Sequence, residues 1–174
     1  SGKLISLVGS KGGVGKTMTS LHFACLLAAD QRNVAIVYHQ KPEELRSLMG
    51  DTCSYQDLEA QIQGQRLELA SGGFDLLVSS SLKQDLPTFK ENYDYVLYEI
   101  NNSQIGDSKA VLRESDAVVV LSTCEPAAFS ALQKMVKTEF IAMERGLYVV
   151  FNQVKNKAES RLFEDRFFKS VGSR

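Results

Sequence analysis

The stretch Ser10-Lys11-Gly12-Gly13-Val14-Gly15-Lys16-Thr17 constrains this chain more than any other part of it. It lies between an apolar run, Leu4 to Val8, and a helix-like stretch that opens at Thr17. Strand, glycine-rich loop and helix in that order make a phosphate cradle. Glycines let successive backbone N–H groups converge on phosphate oxygens, and the N-terminus of the following helix adds its dipole. In such a cradle Lys16 reaches the outer phosphates, and the Thr17 hydroxyl is placed to ligate Mg²⁺. The general motif begins with glycine. Here Ser10 takes that place, and a second lysine, Lys11, follows it.

Elsewhere, short apolar segments alternate with longer amphipathic ones. This predicts an α/β fold, a doubly wound and mainly parallel β-sheet with helices on both faces. Expected strands are Leu4–Val8, Val34–Tyr38, Phe74–Val78, Tyr95–Glu99, Ala117–Leu121 and Leu147–Phe151, rich in Val, Leu and Tyr as buried parallel strands are. Expected helices are Thr17–Asp30, Pro42–Met49, Tyr55–Gln63, Leu82–Glu91, Ser108–Glu114, Pro126–Arg145 and Ala158–Lys169. Pro126 suits a first helical turn, and Gly146 suits a helix C-cap.

At 174 residues the chain is expected to form one nucleotide-binding domain over 1–174. Its net charge of −1 provides no global field for nucleic acid or an anionic membrane. No apolar run approaches the ~20 residues of a membrane span. Cys25, Cys53 and Cys124 lie far apart with no paired spacing, and read as reduced thiols of a cytoplasmic protein.

Lys11-Gly12-Gly13-Val14-Gly15-Lys16-Thr17 resembles the deviant Walker A motif of the ParA/MinD group of P-loop ATPases. The resemblance runs over nearly the whole chain. It implies ATP/ADP and Mg²⁺ as ligands, bound by Lys11, Gly12, Gly13, Val14, Gly15, Lys16, Thr17 and Met18. It also implies a nucleotide-dependent homodimer, in which Lys11 crosses to the partner subunit's phosphates. Family members continue past the sixth strand, and some, in the CpaE/TadZ pilus-assembly group, carry a receiver-like domain before the loop. That predicts a domain cut from a longer protein. Relatives with iron–sulfur clusters use cysteine pairs that this chain lacks.

The family's acidic groups are where this sequence departs from the pattern. After the second strand the family has two aspartates spaced by one residue; here Tyr38 and Gln40 stand at those positions, with His39 between them. Gln40 retains the ability to orient a water by hydrogen bonding. The family's second motif is an apolar strand followed by Asp-x-Pro-Pro, and here Glu99 and Asn101-Asn102 replace it. Glu99 keeps the charge on a stem one methylene longer, so it is the expected carboxylate of the metal shell. Lys11, Lys16, Gln40 and Glu99 are thus the candidate catalytic groups, with Thr17 and Glu99 toward the metal.

Phe151-Asn152-Gln153-Val154 is similar to the stretch whose asparagine reads adenine, and a guanine-selecting Asn-Lys-x-Asp is absent. ATP is favoured over GTP. The implied activity is an ATP-binding switch with weak or absent hydrolysis, positioning or assembling a cellular machine with an unidentified protein partner. The alternative is a slow Mg²⁺-dependent ATPase that partitions DNA or protein cargo. The C-terminal segment Arg161 to Lys169 is apolar on a broad face, but Glu164 and Asp165 dilute its charge. It is expected to pack on the sheet rather than lie on a membrane.

Overall fold

Seven of the eight residues from Leu4 to Lys11 lie in or directly behind a strand that is covered on both sides, and the rest of the fold is arranged about it. The computed structural model describes residues 1–39, 55–59, 62–69, 72–79, 81–101, 108–140 and 146–171. In chain order the elements are β1 (Lys3–Gly9), α1 (Lys16–Ala29), β2 (Val34–Tyr38), β3 (Tyr55–Glu59), β4 (Ile62–Leu69), β5 (Gly72–Val78), α2 (Leu82–Asn92) and β6 (Tyr95–Ile100). They continue with α3 (Lys109–Glu114), β7 (Ala117–Thr123), α4 (Pro126–Met135), β8 (Gly146–Asn152) and α5 (Lys157–Val171).

The strands form one sheet in the order β3-β4-β5-β2-β6-β1-β7-β8. From β5 to β8 every neighbouring pair is parallel, and only the β3–β4 end is antiparallel. Side chains alternate between two apolar layers, as a strand's period of two requires. Leu4 and Val8 of β1 join Val96, Tyr98 and Ile100 of β6 under α2, α3, α4 and α5. Leu7, Leu97, Ile36 and Leu121 face the other way, under Ala24 and Ala28 of α1. Helices thus lie on both faces, as the alternation of segments predicts.

β1 sits between β6 and β7, while the chain leaves it through α1 for β2, on the far side of β6. The C-terminal ends of β1 and its neighbours therefore open onto a crevice where the winding direction reverses, the position at which sheets of this kind bind ligands. The opposite end of β1 is tied down: Asp116 Oδ2 accepts from the Leu4 N–H at 2.8 Å, and Leu4 O accepts from the Asp116 N–H at 2.8 Å. Those bonds, with Lys90 and Lys3 nearby, hold the Asp116 carboxyl below its ordinary range despite burial acting the other way.

Three expectations need correction. Tyr55–Gln63 is not a helix: Tyr55–Glu59 is β3, and Ile62 opens β4, which pairs with β5 from Gln63↔Val78 to Leu69↔Gly72. The exposed edge of β5 supplies unpaired backbone groups, and a hairpin satisfies them where a helix would not. The helix from Pro126 stays α-helical only to Met135 and loosens into a π turn over Val136–Phe140. Gly146, expected to close that helix, is the first residue of β8, paired with Ala117; the expected helical residues 141–145 lie outside the described residues. Pro126 does occupy the first turn of α4. The expected helix Pro42–Met49 lies outside the described residues.

α5 packs as its apolar face predicts. Phe167 is buried, and Phe163 meets the Phe129 ring edge-on at 5.1 Å between centroids. No described helix is long and apolar enough to cross a membrane.

Candidate nucleotide site

β1 ends at Gly9, and the loop that follows is shaped from beneath. Ser10, which stands where glycine is usual, is buried; its hydroxyl donates to Ser122 Oγ at 3.0 Å, and its N–H to Leu121 O at 2.8 Å. The end of β7 thus gives the Ser10 hydroxyl a buried partner. Val14 is buried in the α1-side apolar layer and anchors the loop from inside. Gly13 and Gly15 have φ of 75° and 88°, a left-handed backbone that side chains with a Cβ resist. A Cβ on Gly12 or Gly13 would meet nothing within 4 Å, so these two residues border open space. Gly15 is the N-cap of α1.

The loop walls a cavity of about 300 Å³, lined by every residue from Lys11 to Met18 together with Glu99 and Asn101. Phosphate-sized space, left-handed glycines and a 14-residue helix opening beneath them form the cradle that the motif calls for. Nine of the sequence-predicted site residues therefore meet in one place. Lys16 Nζ donates to Ile100 O at 2.6 Å, which carries its charge across the mouth of β6. Gln40 lies outside the described residues.

Glu99 is the acidic centre of the cavity and is only 5% exposed. Thr17 Oγ1 donates to its Oε2 at 3.1 Å, and Ser20 Oγ donates to its Oε1. Burial pushes the Glu99 carboxyl above its ordinary range; Ser20, the Lys16 charge, Thr17 and the Tyr38 hydroxyl pull the other way. Among the described residues no cluster of three or more His, Cys, Asp or Glu stands ready to cage a metal ion. One hydroxyl and one carboxylate suit Mg²⁺, which retains most of its waters and takes its other ligands from phosphate. Thr17 and Glu99 fit that role.

Three further contacts were not legible in the motifs. Lys11 Nζ lies 2.5 Å from Glu125 Oε2, at the start of α4, and both side chains are exposed. The ammonium holds the Glu125 carboxyl below its usual range. From the end of β8, Asn152 Nδ2 donates to Val14 O at 3.0 Å and Gln153 Nε2 to Gly13 O at 3.4 Å. The amides brace the loop from outside as Val14 braces it from inside. A lysine two residues into the loop and a polar pair ending an apolar strand were the available signals, but the partners came from residues more than a hundred positions away.

The sequence from residue 5 to 171 matches the family model described as the CobQ/CobB/MinD/ParA nucleotide binding domain. The sporulation initiation inhibitor protein Soj of Bacillus subtilis is 27% identical over 163 residues, which cover 79% of this chain and 64% of Soj. The chain thus spans less than two thirds of that relative. In structure it is similar to the MinD protein of the Aquifex aeolicus MinC:MinD cell division complex, with a TM-score of 0.74, 18% identity and coverage of 97% of this chain and 77% of that one. A Borrelia burgdorferi protein described as a putative plasmid partition protein, solved bound to AMPPNP, gives a TM-score of 0.64 at 21% identity, covering 94% and 81%.

Proposed function

Since the chain belongs to the CobQ/CobB/MinD/ParA nucleotide-binding family, we propose that it is an ATP-binding switch that dimerises around its nucleotide and hydrolyses it slowly or not at all. One observation carries this reading: the phosphate cradle is complete, while Glu99 is the single carboxylate lining it among the described residues. Binding rests on backbone N–H groups and Lys16, all in position. Turnover needs an acidic group held on the attacking water, and the strand that should bring one ends in the buried Tyr38 instead.

Lys16 binds and orients the outer phosphates, and Thr17 and Glu99 hold the cation that accompanies them. When bound, Mg²⁺ would spread the phosphate charge and fix the phosphates' orientation. Asn152 would read the base: its Nδ2 is engaged with Val14 O, and its Oδ1 is the atom that would accept from adenine's amine. Asn152→Ala is expected to weaken ATP binding about tenfold and to narrow the preference for ATP over GTP, both read by calorimetric titration.

Lys11 would leave Glu125 and reach the phosphates of a second subunit. An exposed pair of this kind binds weakly, so a polyphosphate outcompetes it readily. The ATP-bound dimer would then recruit a protein partner, as MinD is found with MinC, in positioning or assembling a cellular machine. By family likeness its place is the cytoplasm, at the edge of a membrane-associated assembly. The net charge of −1 does not support direct contact with DNA or membrane.

The second reading is a slow Mg²⁺-dependent ATPase for partition of DNA or protein cargo, and the contact between Thr17 and Glu99 favours it. Gln40 would orient the water. Titration with ATP and Mg²⁺, phosphate release and light scattering with a non-hydrolysable analogue separate the two. Tight binding, doubled mass and no phosphate above background support the switch. Steady phosphate release lost on Gln40→Ala supports the ATPase, and absence of adenine-nucleotide affinity overturns both.

A further inference from the structure

Glu99 is held by more than the phosphate loop. Thr17 and Ser20 are three residues apart on α1, so their hydroxyls project from one face of its first turn. They take separate oxygens of the same carboxylate, Thr17 on Oε2 and Ser20 on Oε1. Ser20 is fully buried, and Thr17 O lies 2.9 Å from the same Oγ, so its single hydroxyl proton is shared between the helix turn and the carboxylate. Tyr38 stands beside Glu99 in the β2–β6 register and is 2% exposed.

We propose that Ser20 is a positioning residue that holds the Glu99 carboxylate against Thr17 for a divalent cation. The assignment rests on the nucleotide-binding reading above. A glutamate at the end of a strand has one more rotatable bond than an aspartate, and a carboxylate that swings cannot complete a metal shell. The Ser20 hydroxyl draws the head group toward α1. Ser20 does not line the cavity, so it acts on the cation through Glu99, as outer partners of metal-binding carboxylates do.

The experiment measures Mn²⁺ affinity of the protein–ATP complex by electron paramagnetic resonance, and ATP affinity in EDTA by calorimetry. Ser20→Ala is expected to weaken Mn²⁺ about tenfold while changing metal-free ATP affinity less than about twofold. Ser20→Thr, which keeps the hydroxyl, should restore most of the loss. In a Glu99→Gln background Ser20→Ala should not weaken Mn²⁺ further, because its route to the cation is gone. Thermal melts of the ligand-free variants check that each folds. Unchanged Mn²⁺ affinity in a Ser20→Ala protein that binds ATP overturns this assignment alone, as does an equal loss in the Glu99→Gln background. A wild-type protein that takes no ATP in EDTA overturns the reading beneath it as well.

Discussion

Lys16→Ala is expected to weaken ATP binding by roughly 10- to 150-fold, the loss of about 1.5–3 kcal/mol from a charged hydrogen-bonding group. Lys16 is the loop cation whose charge also reaches Glu99. Its Nζ is held 2.6 Å from Ile100 O, at the end of β6 and on the cavity's edge. Removing it leaves the backbone donors of the cradle in place but takes away the point charge that offsets phosphate repulsion. Calorimetry with ATP and with ADP reads the effect, and the longer polyphosphate should lose more. Unaltered affinity would mean that the cavity does not take phosphate.

Gly15→Ala is expected to cost about 3 kcal/mol of stability and to abolish tight nucleotide binding. Its φ of 88° is strained for alanine, and the new Cβ would press on the Asn152 side-chain amide. That contact displaces the bond from Asn152 Nδ2 to Val14 O, so the outside brace of the loop goes with it. Gly12→Ala is the control, because a Cβ there meets nothing within 4 Å. It should leave the urea midpoint within about 0.5 kcal/mol of wild type. Equal destabilisation by the two substitutions would contradict the geometry of the loop.

The six parallel strands were legible because each is a short apolar run, and burial on both faces leaves little room for polar residues. The β3–β4 hairpin was not. Tyr55, Leu58 and Ile62 fall at spacings that suit one helical face, and local pattern alone favoured a helix there. The deciding term was the open edge of β5, which no local window contains. The long helix from Pro126 was legible as a helix but not in its pitch. Its apolar spacing runs on through Phe140, but the backbone there widens to a π turn that keeps Val136 and Phe140 buried.

The order of residues from Leu4 to Thr17 was sufficient to determine a strand, a glycine-rich loop and a helix, since those depend on neighbours along the chain. Departures at positions 38, 40 and 99 were likewise visible as letters. What they amount to was decided only when distant strands came together. Tyr38 and Glu99 share a register, Ser20 lies over the carboxylate, Ser122 supports Ser10, and Glu125 meets Lys11. Side-chain chemistry belongs to single residues, but a site's electrostatics depend on separations of a few ångströms, and folding sets those between residues tens of positions apart.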